Sequence, residues 1–549
     1  MFLQLSRKVN FWQVSVVGIA LLFSIPLFTV AISIFSGAGD NWGHLIESVM
    51  GDYVTNSLML MFGVGVGTLI IGVSTAWLTS VCDFPGRKIF QWALLMPMAI
   101  PAYIIAYTYT GMLDFAGPVQ TFIREFFSLG PRDYWFPEVR SLTGAMLMLS
   151  LVLYPYVYLL SRAAFLEQST ISLEASRSLG YGIWKSFFYV ALPLARPAII
   201  AGLTLALMET LADYGTVQYF GVSTFTTGIF RTWFGLADER SATQLAAVLL
   251  VFVFVLIILE KYSRRQAKFH QQHAKQMHKH RLELTGSRAL LAFFICFMPL
   301  LFGFLLPFAQ LSVWSYETAA DVIDDDFILL VWNSLTLAAS TAILAVLLAL
   351  LLAYGKRLYP HRLIRSATRI AAMGYAIPGT VIAIGIVLPF AWLDNTIDDY
   401  FRSYWDFSTG LLLSGTLFAL VFSYLVRFLA VSFGTVESAL EKIKPSLDNA
   451  ARTLGKNSLQ TLYQIHLPLM KTGLLTAVLL VFVDVLKELP ATLLLRPFNF
   501  NTLAVKAYEL AADERLEDAA SASIMIVLTG LIPVLLLSYS ISRNKKAGE

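Results

Sequence analysis

Glu174-Ala175-Ser176-Arg177-Ser178-Leu179-Gly180, with Leu192-Pro193-Leu194 beginning twelve residues after its glycine, returns as Asn449-Ala450-Ala451-Arg452-Thr453-Leu454-Gly455 with Leu467-Pro468-Leu469. The copies are in register at an offset of 275 residues, and each lies between long apolar stretches. Glu-Ala-Ser-Arg favours a short helix, the glycine permits the positive-φ turn that ends it, and Leu-Pro starts the next helix. Each copy is therefore expected to form a helix-turn-helix knob between two membrane spans. A polar, alanine-bearing segment with glycine and proline at fixed spacing, present twice in phase, is a repeated device rather than an ordinary amphipathic connector.

Composition sets the class around that knob. Of 549 residues 57% are hydrophobic and 14% charged, with a mean hydropathy of +0.68, outside the range of a soluble globular chain of this length. Apolar stretches of membrane-crossing length lie near 11–36, 57–81, 89–113, 141–161, 194–216, 241–260, 289–312, 333–355, 370–393, 409–430, 472–495 and 521–541. The fold class expected is an all-α integral membrane protein with twelve transmembrane helices in two tandem six-helix repeats. With the N-terminus inside, the inner segments hold 30 Lys and Arg and the outer loops 9. The positive-inside rule then places both termini in the cytoplasm. Arg7 and Lys8 precede a first span whose apolar run is too long for a cleaved signal, so it reads as a retained anchor. The two cysteines, Cys82 and Cys296, suggest neither a disulfide nor a thiolate metal site.

The repeat extends beyond the knob. Asn56-Ser57-Leu58 matches Asn333-Ser334-Leu335, and Ala99-Ile100-Pro101 matches Ala376-Ile377-Pro378, at an offset of 277. After the knob the offset of 275 sets Glu209 on Asp484, Asp213 on Glu488, Thr227 on Thr502 and Asp238-Glu239-Arg240 on Asp513-Glu514-Arg515. The organisation read from this is a first repeat over 1–260 with its knob near 167–194, a basic linker over 261–288, and a second repeat over 289–549 with its knob near 442–469. Equal parity of spans makes the repeat parallel, with a pseudo-twofold axis along the membrane normal and a translocation path on that axis. The linker carries eight Lys or Arg and His270, His273, His278 and His280. Imidazoles ligate transition metals, but the surrounding cations repel one, so the segment reads as a basic tether at the membrane surface.

Carboxylates at membrane depth are costly unless they face a polar cavity or a partner. Glu209 and Asp213 stand four apart on one helical face, and Asp484 and Glu488 repeat the spacing. Four acids facing one another across the axis would line a path toward its outer end; pairing with Lys487 or helix capping is the structural alternative. Gly63, Gly67 and Gly72 have no following Lys-Ser or Lys-Thr and read as close helix packing. Pro97, Pro101 and Pro378 are expected to kink their spans. Tyr103 and Tyr107 share a helical face, in the core or on the path. The chain has no phosphate-binding loop of its own. It also has no outer domain large enough to trap a solute, which leaves both ATP and solute capture to other chains.

The duplicated segment resembles the EAA loop of ABC-importer permeases. The fused twelve-span layout, with Glu209, Asp213-Tyr214-Gly215-Thr216, Tyr219-Phe220-Gly221 and Phe225-Thr226-Thr227-Gly228, resembles the permeases of bacterial ferric-iron importers over essentially the whole chain. The resemblance implies a type I importer permease fold in the bacterial inner membrane, not an enzyme itself. It implies a homodimer of a cytoplasmic ATPase that holds ATP and magnesium, a periplasmic iron-binding protein, Fe3+ as transported substrate, no cofactor on this chain and no nucleic acid. Residues expected to couple to the ATPase are Glu174, Ala175, Gly180, Leu192, Pro193, Asn449, Ala450, Gly455, Leu467 and Pro468. Glu209, Asp213, Tyr214, Asp484 and Glu488 are expected on the path, the four acids as a transient Fe3+ site since a hard cation prefers oxygen. Asp238, Arg240, Asp513 and Arg515 are expected to dock the binding protein. The second repeat departs from the pattern with Asn449 in place of Glu and Leu489-Pro490 in place of Tyr214-Gly215. Thiamine, sulfate or polyamine permeases share the loop. An ion-coupled secondary transporter would share the hydropathy but has no need of the loop, and an intramembrane enzyme would need a nucleophile–base pair or ligand spacing that the spans lack.

Overall fold

The computed structural model describes residues 11–131, 133–167, 180–265 and 281–546. Among them, ten helices are long and apolar enough to cross a membrane: Phe11–Ser33, Met50–Val81, Leu142–Leu166, Trp184–Ala212, Glu239–Ser263, Ser287–Val322, Asp325–Leu358, Gly379–Trp405, Leu417–Glu441 and Ser458–Leu486. Two further expected spans take other forms. Arg87–Ala99 and Ala102–Phe127 are one apolar stretch bent by 90°, and the last is the helix Ala519–Lys546. The chain is an all-α membrane protein, with a two-residue parallel ladder of Cys82–Asp83 with Leu282–Glu283 as the one sheet among the described residues.

The bend has a local cause that both repeats share. A 3-10 turn over Met96–Ala99 leads to extended Ile100, and Pro101, at φ −57 and ψ 144, stands before the helix Ala102–Leu113. In the second repeat Gly374–Ala376 forms the turn, Ile377 is extended, and Pro378, at φ −55 and ψ 140, stands before Gly379–Trp405. Proline forces its predecessor out of the helical region and donates no hydrogen bond, so the helix restarts after it. The expected kinks at Pro101 and Pro378 are thus complete breaks, and Pro97 lies within the 3-10 turn.

Packing divides the chain into two compact units that do not follow the order of the sequence. One comprises residues 1–40, 238–247 and 324–505; the other comprises 41–237, 248–323 and 506–549. In the first, Phe11–Ser33 lies against Asp325–Leu358 and Gly379–Trp405, with Trp12 edge-on to Tyr354 at 5.1 Å and Phe23 to Phe422 at 5.6 Å. The Gln244 amide holds the end of that helix, donating to the Gly37 carbonyl at 2.7 Å and accepting from Gly39 N–H at 3.2 Å. In the second unit, Met50–Val81 runs along Leu142–Glu167. Side chains of Met146, Ser150 and Val157 occupy the space beside Gly63, Gly67 and Gly72, so these glycines let the two helices approach closely.

Candidate coupling loops and intramembrane carboxylates

The second knob follows its sequence through the glycine turn, but the next helix starts at Ser458 rather than at Leu467-Pro468, which lies inside it after a π-helical turn. Pro445 opens the helix Pro445–Thr453 in its first turn, where a missing N–H costs nothing. Gly455, at φ +76, ends it. Lys456 N–H reaches back to the Ala451 carbonyl and Gly455 N–H to that of Arg452, both at 3.0 Å, the paired bonds of a Schellman cap. Asn457 and Gln460 then form a capping box for Ser458–Thr461, a π-helical turn follows over Leu462–His466, and Leu467–Leu486 carries Pro468 in its first turn. Asn449, Ala450 and Gly455 are exposed on this knob.

From its glycine onward the first knob repeats the geometry at the same offset. Gly180 is exposed with φ +83, and Ile183–Ser186, a π-helical turn over Phe187–Ala191, and Leu192–Ala212 with Pro193 in its first turn follow. These elements begin at 183, 187 and 192 in one repeat and at 458, 462 and 467 in the other. Glu174 and Ala175 lie outside the described residues, as do His270, His273, His278 and His280.

Behind the second knob lies a polar network that sequence reading missed. Arg357, near the end of Asp325–Leu358, bonds Asp448 through Nε and Nη2, both at 2.9 Å. It also donates from Nη1 to the Leu440 carbonyl at 2.6 Å and from Nη2 to that of Ile443 at 2.9 Å. Fully buried His466 donates from Nε2 to the other Asp448 oxygen at 2.6 Å and meets the Tyr354 ring edge-on at 5.4 Å. The Tyr354 hydroxyl donates to the Ser458 carbonyl at 2.7 Å.

The four intramembrane acids occupy distinct settings. Asp213 ends Leu192–Ala212 and caps the short helix Gly215–Tyr219, accepting from Val217 N–H at 3.1 Å and the Thr216 hydroxyl at 2.9 Å. Glu488, its counterpart, accepts from Ala491 and Thr492 N–H at 3.1 Å each and caps Pro490–Leu495. Glu488 also pairs with Arg427 Nη1 at 2.9 Å, with both side chains buried. The Tyr424 hydroxyl, 2.6 Å from that of Thr492, extends the cluster. Asp484 pairs with Lys487 at 2.8 Å. Glu209 is half-buried on Leu192–Ala212, one turn before Asp213. The Tyr214 ring stacks on Phe230 at 3.8 Å, and its hydroxyl accepts from that of Tyr508 at 3.3 Å. Among the described residues, no group of three His, Cys, Asp or Glu side chains is gathered as a metal site. Arg427 was legible as a candidate, being a lone cation inside the apolar helix Leu417–Glu441.

The residues expected to dock a binding protein fall at element ends. Asp238 caps Glu239–Arg265 by accepting from Ser241 N–H at 2.9 Å and its hydroxyl at 2.7 Å, and Arg240 is exposed. Asp513 is exposed, and Arg515 pairs with Asp518 at 2.7 Å.

Comparison with known proteins gives a consistent placement. The chain is 27% identical over 544 residues to the Fe(3+)-transport system permease protein FbpB 2 of Haemophilus influenzae, covering 97% of this chain and 98% of that protein. It is 22% identical over 535 residues to the ferric transport system permease protein FbpB of Actinobacillus pleuropneumoniae, covering 92% of this chain and 74% of that protein. The molybdenum transport system permease protein ModB of Escherichia coli K12 is 24% identical over 226 residues, 40% of this chain and 93% of that protein. Residues 68–266 and 345–545 each match the family described as the binding-protein-dependent transport system inner membrane component. With one match in each repeat, and the same backbone course from Gly180 and from Gly455 onward, this chain belongs to that family as a fused two-repeat, multi-pass ABC permease of the inner membrane.

Proposed function

We propose that this chain imports ferric iron: a periplasmic protein delivers the ion, a separate cytoplasmic ATPase homodimer binds ATP-Mg and grips the two knobs, and both termini are cytoplasmic. The observation that carries the reading is the knob itself, which takes the same backbone course at Gly180–Pro193 and Gly455–Pro468. A pair of exposed knobs between spans suits a pair of identical ATPase clefts, and the Lys and Arg bias of the segments on that side supports a cytoplasmic position for them. ATP binding draws the knobs together, the path opens toward the binding protein, and hydrolysis resets it. The two ferric permeases to which the chain is similar over more than nine tenths of its length support the substrate. We assign Glu209, Asp213, Asp484 and Glu488 to the path, Asp213 and Glu488 also capping helices and Asp484 also pairing with Lys487. Iron then crosses without a resident chelate, as a transported ion must.

The test is uptake of labelled ferric iron into proteoliposomes that hold the chain with its co-purified ATPase, loaded binding protein and ATP. Uptake should depend on ATP, resist an ionophore, and fall about tenfold or more in the Glu209→Gln, Asp484→Asn variant, the loss expected from removing about 1.4 kcal/mol of stabilisation of the ion in transit. Uptake abolished by ionophore at constant ATP would instead show a secondary transporter. Hydrolysis stimulated only by another loaded binding protein would keep the importer and discard iron.

A further inference from the structure

We propose that Tyr354, Arg357, Asp448 and His466 form a joint that locks the second knob to the membrane helices behind it. They are thereby positioning residues for transmission of the ATPase stroke through the second repeat. The inference rests on the importer reading above and concerns a set of residues outside the shared motif.

The joint ties three elements together within one compact unit. Asp448, on the knob helix Pro445–Thr453, is held from one side by Arg357 of Asp325–Leu358 and from the other by His466 at the foot of Leu467–Leu486. Arg357 also grips the Leu440 and Ile443 carbonyls, which belong to the end of Leu417–Glu441 and the turn leading into the knob. The planar guanidinium fixes direction as well as distance, which a lysine ammonium does not. Tyr354 binds the Ser458 carbonyl at the start of the next helix. Every bond runs from the knob or its flanks to a helix that crosses the membrane, so the knob cannot tilt without moving that helix or breaking a charged hydrogen bond.

The first repeat has other residue types at these positions. At the corresponding offsets it carries Trp77, Ser80, Leu173 and Ala191. There Trp77 packs on Phe165 at 5.4 Å and on Phe187 at 4.9 Å. Apolar packing is non-directional, whereas a half-buried network of charge-assisted hydrogen bonds fixes direction as well as distance. The second knob also lacks the glutamate of the first, with exposed Asn449 in its place. Its acid stands one residue earlier, at Asp448, and is spent on the joint. At these four positions the two repeats therefore differ in chemistry, and the joint belongs to the second.

The experiment measures ATP hydrolysis by the full chain and its ATPase in proteoliposomes, with and without loaded binding protein, with assembly checked by co-purification. The readout is the ratio of stimulated to basal hydrolysis. Asp448→Asn, nearly isosteric, should lower that ratio about tenfold, which corresponds to about 1.4 kcal/mol of lost coupling. Arg357→Lys should be intermediate, Ser80→Ala in the first repeat should match wild type, and Arg357→Gln with Asp448→Asn should be no worse than Asp448→Asn alone, because they break one unit. If Asp448→Asn fails to assemble, His466→Ala, which leaves the Arg357–Asp448 pair intact, is read in the same way. Wild-type ratios in assembled variants, or additive losses, overturn the joint alone. A wild-type complex that loaded binding protein does not stimulate overturns the importer reading and the joint with it.

Discussion

Glu488 and Arg427 illustrate what holds a charge at membrane depth. The carboxylate is only 2% exposed and the guanidinium 10%, a placement sustained by their ion pair and by the two N–H groups that Glu488 caps. Removing one partner is worse than removing both, since it strands a buried charge. Arg427→Met should cost about 3–5 kcal/mol, read as a lowered thermal transition of the purified protein in detergent. Adding Glu488→Gln to it should recover most of that loss, because the amide can still accept from Ala491 or Thr492 N–H. If the single variant melts as wild type does, the pair is not structural. If the double variant is stable yet fails in iron uptake, the pair has a transport role in addition. Asp213 manages its cap without an arginine. Sequence spacing alone had set both acids on a helical face beside Glu209 and Asp484. Each in fact follows its helix, and the capping role depends on where that helix stops, a boundary set by the turn that comes next.

At the scale of elements, the turn of the knob was the most legible part of the chain because its determinants are local, a helix former and a glycine at positive φ, whereas Leu-Pro lies inside the next helix rather than at its start. The π-helical turns over Phe187–Ala191 and Leu462–His466 were not legible. Neither was the carboxylate clamp in which buried Asp394 gathers the Leu412, Leu413 and Ser414 N–H groups at 2.7–3.2 Å, since it joins residues up to twenty apart across an irregular segment. Nor was the Arg357–Asp448–His466 network, whose members are up to 109 residues apart in the chain. Locality also makes the knob a clean target for mutation. A Cβ at Gly180 or Gly455 meets nothing within 4 Å, so substitution there strains only the backbone, by about 1–2 kcal/mol, too little to unfold the protein. Gly180→Asp and Gly455→Asp should therefore insert normally in membranes but lose transport-coupled ATP hydrolysis, because a carboxylate is placed on the exposed face offered to the ATPase. Gly180→Ala, with similar backbone strain and no charge, should lose less. Full coupling in both aspartate variants would take the knobs out of the mechanism.

For the whole molecule, hydropathy and the offsets of 275 and 277 revealed twelve spans and two repeats, while packing follows a different partition. One compact unit joins residues 1–40 and 238–247 to 324–505, and the other joins 41–237 and 248–323 to 506–549. Periodicity reports which face of a helix is apolar but not which helix covers it, so this exchange of segments was invisible in the sequence. Its consequence is that neither sequence half contains a complete unit. The half ending near residue 265 carries Phe11–Ser33, whose buried Trp12, Val16 and Phe23 pack against helices of the other half. The half beginning near residue 281 carries Ser287–Val322, which packs on Met50–Val81 and Arg87–Ala93 through residues of the first. Burying a single large apolar side chain contributes about 1.5–3 kcal/mol in water, and inside a bilayer the same contacts act through close packing, so a half lacking its partner segments forfeits many such contacts. A chain divided between residues 265 and 281 should therefore yield two fragments that are each degraded when expressed alone and that accumulate together, co-purify and support uptake when co-expressed. Quantitative blotting of membranes from the three strains, followed by pull-down of one tagged fragment, decides it. Independent accumulation of either fragment at wild-type levels would mean that the exchanged segments contribute little to holding the units together.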